Sequence, residues 1–119
     1  MSQTFSAGDF LVFQLESGYG LARVLATEGD GAKTVWHLAV YEELFPDVES
    51  AEAAMAQSEL LHFNLPHLAL TERAFERTPA ARIGARALTD GELAAYRSWQ
   101  QSDTPQIFDR SLLQLLGMR

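Results

Sequence analysis

The sequence predicts an α+β fold, in which a small, bent and mainly antiparallel sheet, SH3-like or a partial barrel, is followed by C-terminal helices. Apolar runs and alternations of strand length follow one another in the first forty residues, with glycine turns between them. Helical patterns dominate after residue 88. The 119 residues fit a single domain, 1–119, with a sheet region over 1–88 that contains one short helix and C-terminal helices over 89–119.

Three strands are expected to form a meander at the N-terminal end. They cover residues 10–16, 20–28 and 33–41, where apolar side chains alternate or run together. The first turn is expected at Gly18 and Gly20, because glycine adopts positive φ at little steric cost.

The middle of the chain adds shorter elements. Asp47 or Ser50 can cap a helix that is rich in alanine, and acidic residues in its first turn complement the helix dipole. Pro66 ends a strand or marks a sheet edge, because proline has no N–H to donate to a ladder. The predicted elements are a helix over 51–58, a strand over 60–65, a helical turn over 71–77 and a strand over 81–88.

Two helices are expected at the C-terminal end. Thr89 and Glu92 have the spacing of a capping box, which predicts a helix that ends near Gln101. Asp109 is the expected cap of a last helix, and Gly117 its expected end. That helix carries Leu112, Leu113, Leu115 and Leu116, and this apolar run suggests a surface for homo-oligomer formation.

The net charge of −7 is unevenly distributed. Residues 1–72 hold eleven acidic and two basic side chains, a net charge of −9, whereas residues 73–119 have a net charge of +2. An acidic surface repels phosphate, so nucleic acid is an unlikely partner and a basic protein is a better candidate. An acidic excess also arises where it only keeps a domain soluble.

The acidic side chains are densest just after the third predicted strand. We expect this segment to be a loop that meets a basic protein surface, with an exposed aromatic side chain as an additional contact. The candidate partner-binding residues are Glu42, Glu43, Phe45, Asp47 and Glu49.

A second hypothesis is a small-ligand site at the mouth of the barrel. Aromatic side chains at a rim combine apolar contact area with hydrogen-bonding groups. The residues expected to line this mouth are Tyr19, Trp36 and Tyr41.

The residue patterns of common enzyme classes are missing from the sequence. There is no nucleophile elbow, no P-loop and no dinucleotide fingerprint. His62 and His67 lie five residues apart, so on a strand they face opposite sides and do not form a metal site. We therefore expect a protein that is not an enzyme and binds no metal or cofactor.

Cysteine is absent, which removes thiol chemistry and fits a reducing compartment. The N-terminal segment lacks the pattern of an export signal, and no apolar run reaches the length of a membrane span. A cytoplasmic protein that does not bind membranes is the resulting expectation.

A family resemblance rests on two stretches, FSAGDFLVFQLESGYGLARVL near the N-terminus and RIGARAL over residues 82–88, together with the tryptophan of the third strand. These features resemble the bacterial family called immunity protein 26. The matching residues are Phe5, Gly8, Asp9, Phe10, Tyr19, Gly20, Arg23, Val24 and Leu25, with Ile83 and Gly84 at a later Ile-Gly step. The resemblance implies a protein that neutralises a polymorphic toxin by binding it, without catalysis.

Overall fold

The computed structural model describes residues 4–117, which form one five-stranded antiparallel sheet with helices packed on it. The strands are β1 (Asp9–Leu15), β2 (Gly18–Glu28), β3 (Val35–Phe45), β4 (Phe63–Thr71) and β5 (Ala80–Ala85). Their order is β4-β3-β2-β1-β5, so the last strand pairs with the first. The sheet does not close into a barrel, and the α+β class predicted from the sequence is confirmed.

The N-terminal meander forms, with its first turn earlier than predicted. β1 and β2 pair as far as Leu15 opposite Gly18, so the turn lies at residues 16–17 and Gly20 belongs to β2. A Cβ atom at Gly18 would lie 2.5 Å from the carbonyl oxygen of Phe45 on β3. Glycine is required there because the neighbouring strand comes so close.

β3 continues past residue 41, where the sequence suggested a loop, and ends at Phe45. Both neighbouring segments hold this extension. Tyr19 on β2 is paired with Phe45, and the backbone N–H of Glu42 donates to the carbonyl of His62 at 2.7 Å. The expected acidic loop is therefore wrong for this part of the chain, since only residues 46–47 separate β3 from the next helix.

β4 is an edge strand that runs through the predicted proline break. It begins at Phe63 and contains Pro66. An edge strand tolerates proline because the N–H that proline lacks would have no ladder partner where it points away from the sheet. A later segment then covers part of that edge. Phe108 forms an isolated bridge with Leu70, and its N–H donates to the carbonyl of Ala69 at 2.9 Å.

The helices begin at polar caps. The Asp47 side chain accepts from the N–H of Ser50 at 2.7 Å, and the predicted capping box of Thr89 and Glu92 is present. No helix between residues 4 and 117 is both long and apolar enough to cross a membrane. The helices are α1 (Val48–Met55), α2 (Glu72–Glu76), α3 (Asp90–Gln100) and α4 (Leu112–Leu115).

The cap of α4 differs from the prediction. Ser111 caps it, with its side chain accepting from the N–H of Gln114 at 3.3 Å. Asp109 instead forms an ion pair with Arg73 and accepts from the Thr71 hydroxyl at 2.6 Å. These contacts, which lower the pKa of the Asp109 carboxyl, attach the C-terminal segment to α2.

Each face of the sheet carries its own apolar cluster. The two sets follow from the alternation of side chains along the strands. The buried members of the first core are Leu11, Phe13, Leu15, Ala22, Val24, Trp36, Leu38, Val40, Leu68, Leu70, Ala74, Phe75 and Leu112. Those of the second core are Phe10, Val12, Leu21, Tyr41 and Ala51.

Candidate functional site

The acidic residues singled out in the sequence lie at the end of β3 and the start of α1. Glu42 and Glu49 are exposed. Asp47 is exposed as well, but its carboxylate caps α1. The Glu43 carboxylate accepts from the N–H of His62 at 2.9 Å and bonds its Nδ1 at 2.8 Å. Asp47 and Glu43 therefore shape the local backbone, and Glu42 and Glu49 are better placed to meet a partner.

Apolar side chains accompany these acids. Phe45, the aromatic contact expected from the sequence, is half-buried on β3 and packs against the second core. Its neighbour Leu44 is 50% exposed, and Leu60, which follows α1, is 66% exposed. The sequence holds no lysine or arginine between Lys33 and Arg73. We call residues 42–60 the acidic region.

The three aromatic residues expected at a barrel mouth do not meet. Trp36 is buried in the first core, where it stacks on Phe75 with ring centroids 4.3 Å apart. Tyr41 belongs to the second core, on the opposite face of the sheet. Tyr19 is half-buried on β2, paired with Phe45. Since the sheet is open, the structure does not assemble that predicted ligand site.

The leucines of α4 are used inside the molecule. Leu112 is 4% exposed, and Leu113, Leu115 and Leu116 are half-buried against the first core. The apolar run that suggested a surface for a homo-oligomer therefore covers the protein's own sheet.

A pocket of about 260 Å³ lies on the second face, between the 3-10 turn after α1 and the N-terminal end of α3. Tyr41 is the single member of the predicted aromatic set that lines it. Leu61 and Phe63 form the apolar part of its wall. The charged and polar side chains of the lining are Arg23, Tyr41, Ser58, Glu59, Arg86, Thr89 and Glu92.

Arg23 forms the base of the pocket and is only 1% exposed. Its guanidinium pairs with the Glu92 carboxylate and lies 4.2 Å from the centroid of the Phe10 ring. Its Nε donates to the carbonyl of Gly8 at 3.2 Å, and one terminal nitrogen donates to that of Arg86 at 2.6 Å. Such a buried charge is tolerated because it is paired and hydrogen-bonded.

The rim of the pocket has a more accessible pair of charges. Arg86 is 50% exposed and its guanidinium lies 3.5 Å from the carboxylate of Glu59, which is 64% exposed. The same guanidinium donates to the Ser58 hydroxyl at 3.1 Å. An exposed pair of this kind contributes at most about 1 kcal/mol, so little is lost when another group replaces it.

The aromatic wall consists of stacked rings. Tyr41 stacks between Phe63, with ring centroids 4.8 Å apart, and Phe10, with centroids 6.5 Å apart. Burial raises the pKa of the Tyr41 hydroxyl above its ordinary value, against an opposing effect of Arg23. The hydroxyl therefore stays protonated near neutral pH.

A second polar cluster lies under α3. The His37 side chain is fully buried, with Nε2 2.5 Å from Glu28 Oε1 and Nδ1 2.9 Å from His67 Nε2. Because a carboxylate only accepts, His37 Nε2 donates to Glu28, and in the neutral ring Nδ1 accepts from His67. Tyr96 and Trp99 of α3 cover both rings, with centroid distances to His37 of 4.5 and 4.7 Å.

This cluster favours neutral imidazoles. Burial lowers the pKa of His37, and the bond to Glu28 only partly opposes that effect. Burial, followed by the proximity of His37, lowers the pKa of His67 to about 4. The pair is therefore uncharged near neutral pH and packs as part of the interface between the sheet and α3.

His62 and His67 have different surroundings, and His62 lies just before β4. His62 bonds Glu43 and His67 bonds His37, so the two histidines have different neighbours. Within residues 4–117, no group of three or more histidine or acidic side chains is arranged to hold a metal ion.

No protein-family model, curated protein or solved structure matches this chain. Its own geometry is therefore the basis for assigning a function.

Sequence reasoning missed the pocket and the histidine cluster. A single charged residue within the apolar segment of β2, Arg23, was the available indication of a buried ion pair. Its partner Glu92 lies 69 residues away, and no local pattern relates the two. His37 and His67 are likewise brought together by the pairing of β3 with β4.

Proposed function

We propose that this protein is a non-enzymatic binding domain whose partner is a basic protein, and that the acidic region is its contact surface. The combination of exposed acids and exposed leucines in a segment without lysine or arginine carries the proposal, and Arg86, which pairs with Glu59, lies at one end of that segment. Exposed leucines provide apolar contact area, and the acids provide charge complementarity.

The acidic region also has a firm backbone, which favours specific recognition. β3 pairs with β2 up to Phe45, the N–H of Glu42 donates to the carbonyl of His62, and Asp47 caps α1. A preorganised surface loses less conformational entropy on binding than a mobile loop does. The exposed carboxylates of Glu42, Glu49 and Glu52 are thus presented by a strand and a helix.

The resemblance to immunity protein 26 makes a protein toxin the specific partner that we propose. Several residues that carry the resemblance support the fold. Gly20 lets the Phe13 ring pack against β2, Gly84 lies against the Met55 side chain, and Arg23 joins β2 to α3. Under this proposal, the matching residues maintain the scaffold and the acidic region selects the toxin.

The test uses the purified products of the reading frames next to the gene of this protein as probes. Each is passed over the immobilised wild-type protein, and association rates are measured at low and at physiological salt. We expect one basic product to bind, with an association rate that falls severalfold when Glu42, Glu49 and Glu52 are changed together to glutamine. Co-expression with wild type should also relieve the toxicity of that product.

The matched control changes Glu16, Asp30 and Asp103 to their amides, because these acids are exposed but lie outside the acidic region. It alters the net charge by the same amount. Equal slowing in both triple variants would show that net charge alone acts, and would contradict the assigned surface. Binding by none of the neighbouring products would contradict the immunity role.

A further inference from the structure

The pocket beside Arg23 has a composition suited to one class of small molecule. Two arginines and two glutamates line it, so its charged side chains balance. Arg23 and Glu92 neutralise each other at its base, where both also have backbone partners. Recognition of a ligand therefore falls to the charges at the rim.

Arg86 and Glu59 present a cation and an anion side by side at that rim. Their nearest charged atoms are 3.5 Å apart and both side chains are at least half exposed. A ligand that carries a carboxylate and an ammonium group on the same carbon atom can pair with both at once. Charge-assisted bonds of this kind are stronger than neutral ones, and a guanidinium holds a carboxylate with two parallel N–H bonds.

The rest of the pocket wall is apolar and encloses a small volume, so it fits a small apolar group of the ligand. Tyr41 and Phe63 offer stacked rings, and Leu61 extends the apolar surface. A volume of about 260 Å³ is slightly below the usual range of about 300–1,000 Å³ for ligand pockets, which favours a single small metabolite.

We propose that this pocket binds a free α-amino acid with an apolar or aromatic side chain. Its carboxylate pairs with Arg86 and bonds the Ser58 hydroxyl, its ammonium group pairs with Glu59, and its side chain packs on Tyr41 and Phe63. The pocket shares Ser58 and Glu59 with the acidic region, but Glu42, Glu49 and Glu52, which the protein-binding test changes, do not line it, so each proposal can fail without the other.

The experiment titrates the full-length protein with L-phenylalanine and L-leucine by calorimetry, and follows the backbone amide signals of Thr89 and Gly91 by NMR. Two analogues separate the charged groups: phenylalaninamide lacks the carboxylate, and 3-phenylpropanoate lacks the ammonium. We expect saturable binding of at least one amino acid. Each analogue, which lacks one of the two charged groups, should bind with an affinity about tenfold or more below that of L-phenylalanine.

Substitutions of the two rim residues test whether the ligand binds between them. We expect Arg86→Gln and Glu59→Gln to weaken binding about tenfold or more. The controls are Arg97→Gln and Glu16→Gln, which change exposed charges outside the pocket and should bind as wild type does. Unfolding midpoints verify that all four variants are folded.

Three results would overturn the proposal. They are the absence of saturable binding by either amino acid, equal binding of the analogues, and undiminished binding by the rim variants. Because Arg86 and Glu59 are partly exposed, their replacement removes recognition groups without opening the core.

Discussion

Arg23 and Glu92 form an ion pair that joins the middle of β2 to the first turn of α3, across 69 residues of sequence. The arginine is 1% exposed and the glutamate 18%. Glu92 uses its other carboxylate oxygen to accept from the N–H of Thr89 at 2.9 Å. One side chain thus completes a helix cap and neutralises a buried cation.

Removing the buried cation should be costly. We expect Arg23→Met to lower the free energy of unfolding by about 3–5 kcal/mol, because it leaves the Glu92 carboxylate without its cation and removes the side-chain donor to the Arg86 carbonyl. Urea denaturation measures the change. Arg97→Met is the control, since Arg97 pairs with the fully exposed Asp90 and should cost less than about 1 kcal/mol. Similar losses in both variants would contradict the structural role of Arg23.

The histidine pair should make stability depend on pH. In the unfolded chain a histidine has a pKa of about 6.5, whereas the pKa of His67 in the folded protein is about 4. Above pH 6.5 both states are neutral and the shift has no effect. As the pH falls toward 4, the unfolded state binds the proton first, so stability decreases, by about 1–2 kcal/mol from His67, whose ring is only half-buried.

Urea denaturation between pH 7 and pH 4 checks this expectation. His67→Gln keeps a donor near His37 but does not titrate, so its stability should fall less steeply over that range. His62→Gln is the control, because Glu43 raises the pKa of His62 and its contribution has the opposite sign. An unchanged slope in His67→Gln would assign the pH dependence to other groups.

Two glycines of the strands should respond differently to an added methyl group. A Cβ atom at Gly20 would lie 2.3 Å from the tip of the Phe13 ring, which is buried and has no room to move. We expect Gly20→Ala to lower the free energy of unfolding by about 1–3 kcal/mol. At Gly84 the Cβ atom would meet only the flexible end of Met55, at 2.6 Å, so the loss should stay below about 1 kcal/mol. Equal losses on urea denaturation would contradict this difference.

The segment before α4 should stabilise the edge of the sheet. Phe108 packs against the first core and bridges Leu70 of β4. We expect Phe108→Ala to lower the free energy of unfolding by about 2–3 kcal/mol. The control Ile107→Ala, at an exposed neighbour, should lower it by less than about 0.5 kcal/mol. Faster hydrogen exchange at Thr71, whose N–H donates to the carbonyl of Phe108 at 3.0 Å, would accompany the loss. Unaltered exchange there would show that this segment does not protect the edge.

Local patterns account for the parts of the fold that sequence reasoning predicted. The strands of the meander follow from alternating apolar residues, and the start of α3 follows from the spacing of Thr89 and Glu92. Each depends on residues only a few positions apart. The end of β3 differs from the prediction because consecutive acids resemble a loop in isolation, whereas pairing with β2 and the hydrogen bond from Glu42 to His62 outweigh that preference.

By itself, the sequence determined the α+β class, the meander, the Thr89 cap and the concentration of acids around residues 42–60, and the structure chose Asp47 over Ser50 as the cap of α1. Only the tertiary structure decided which distant groups meet. The pairing of the last strand with the first brings the chain back to the sheet, where α3 supplies Glu92 to Arg23, and the alignment of β3 with β4 joins His37 to His67. Sequence periodicity reports which face a residue occupies, but the neighbour across that face is set by strand order and packing.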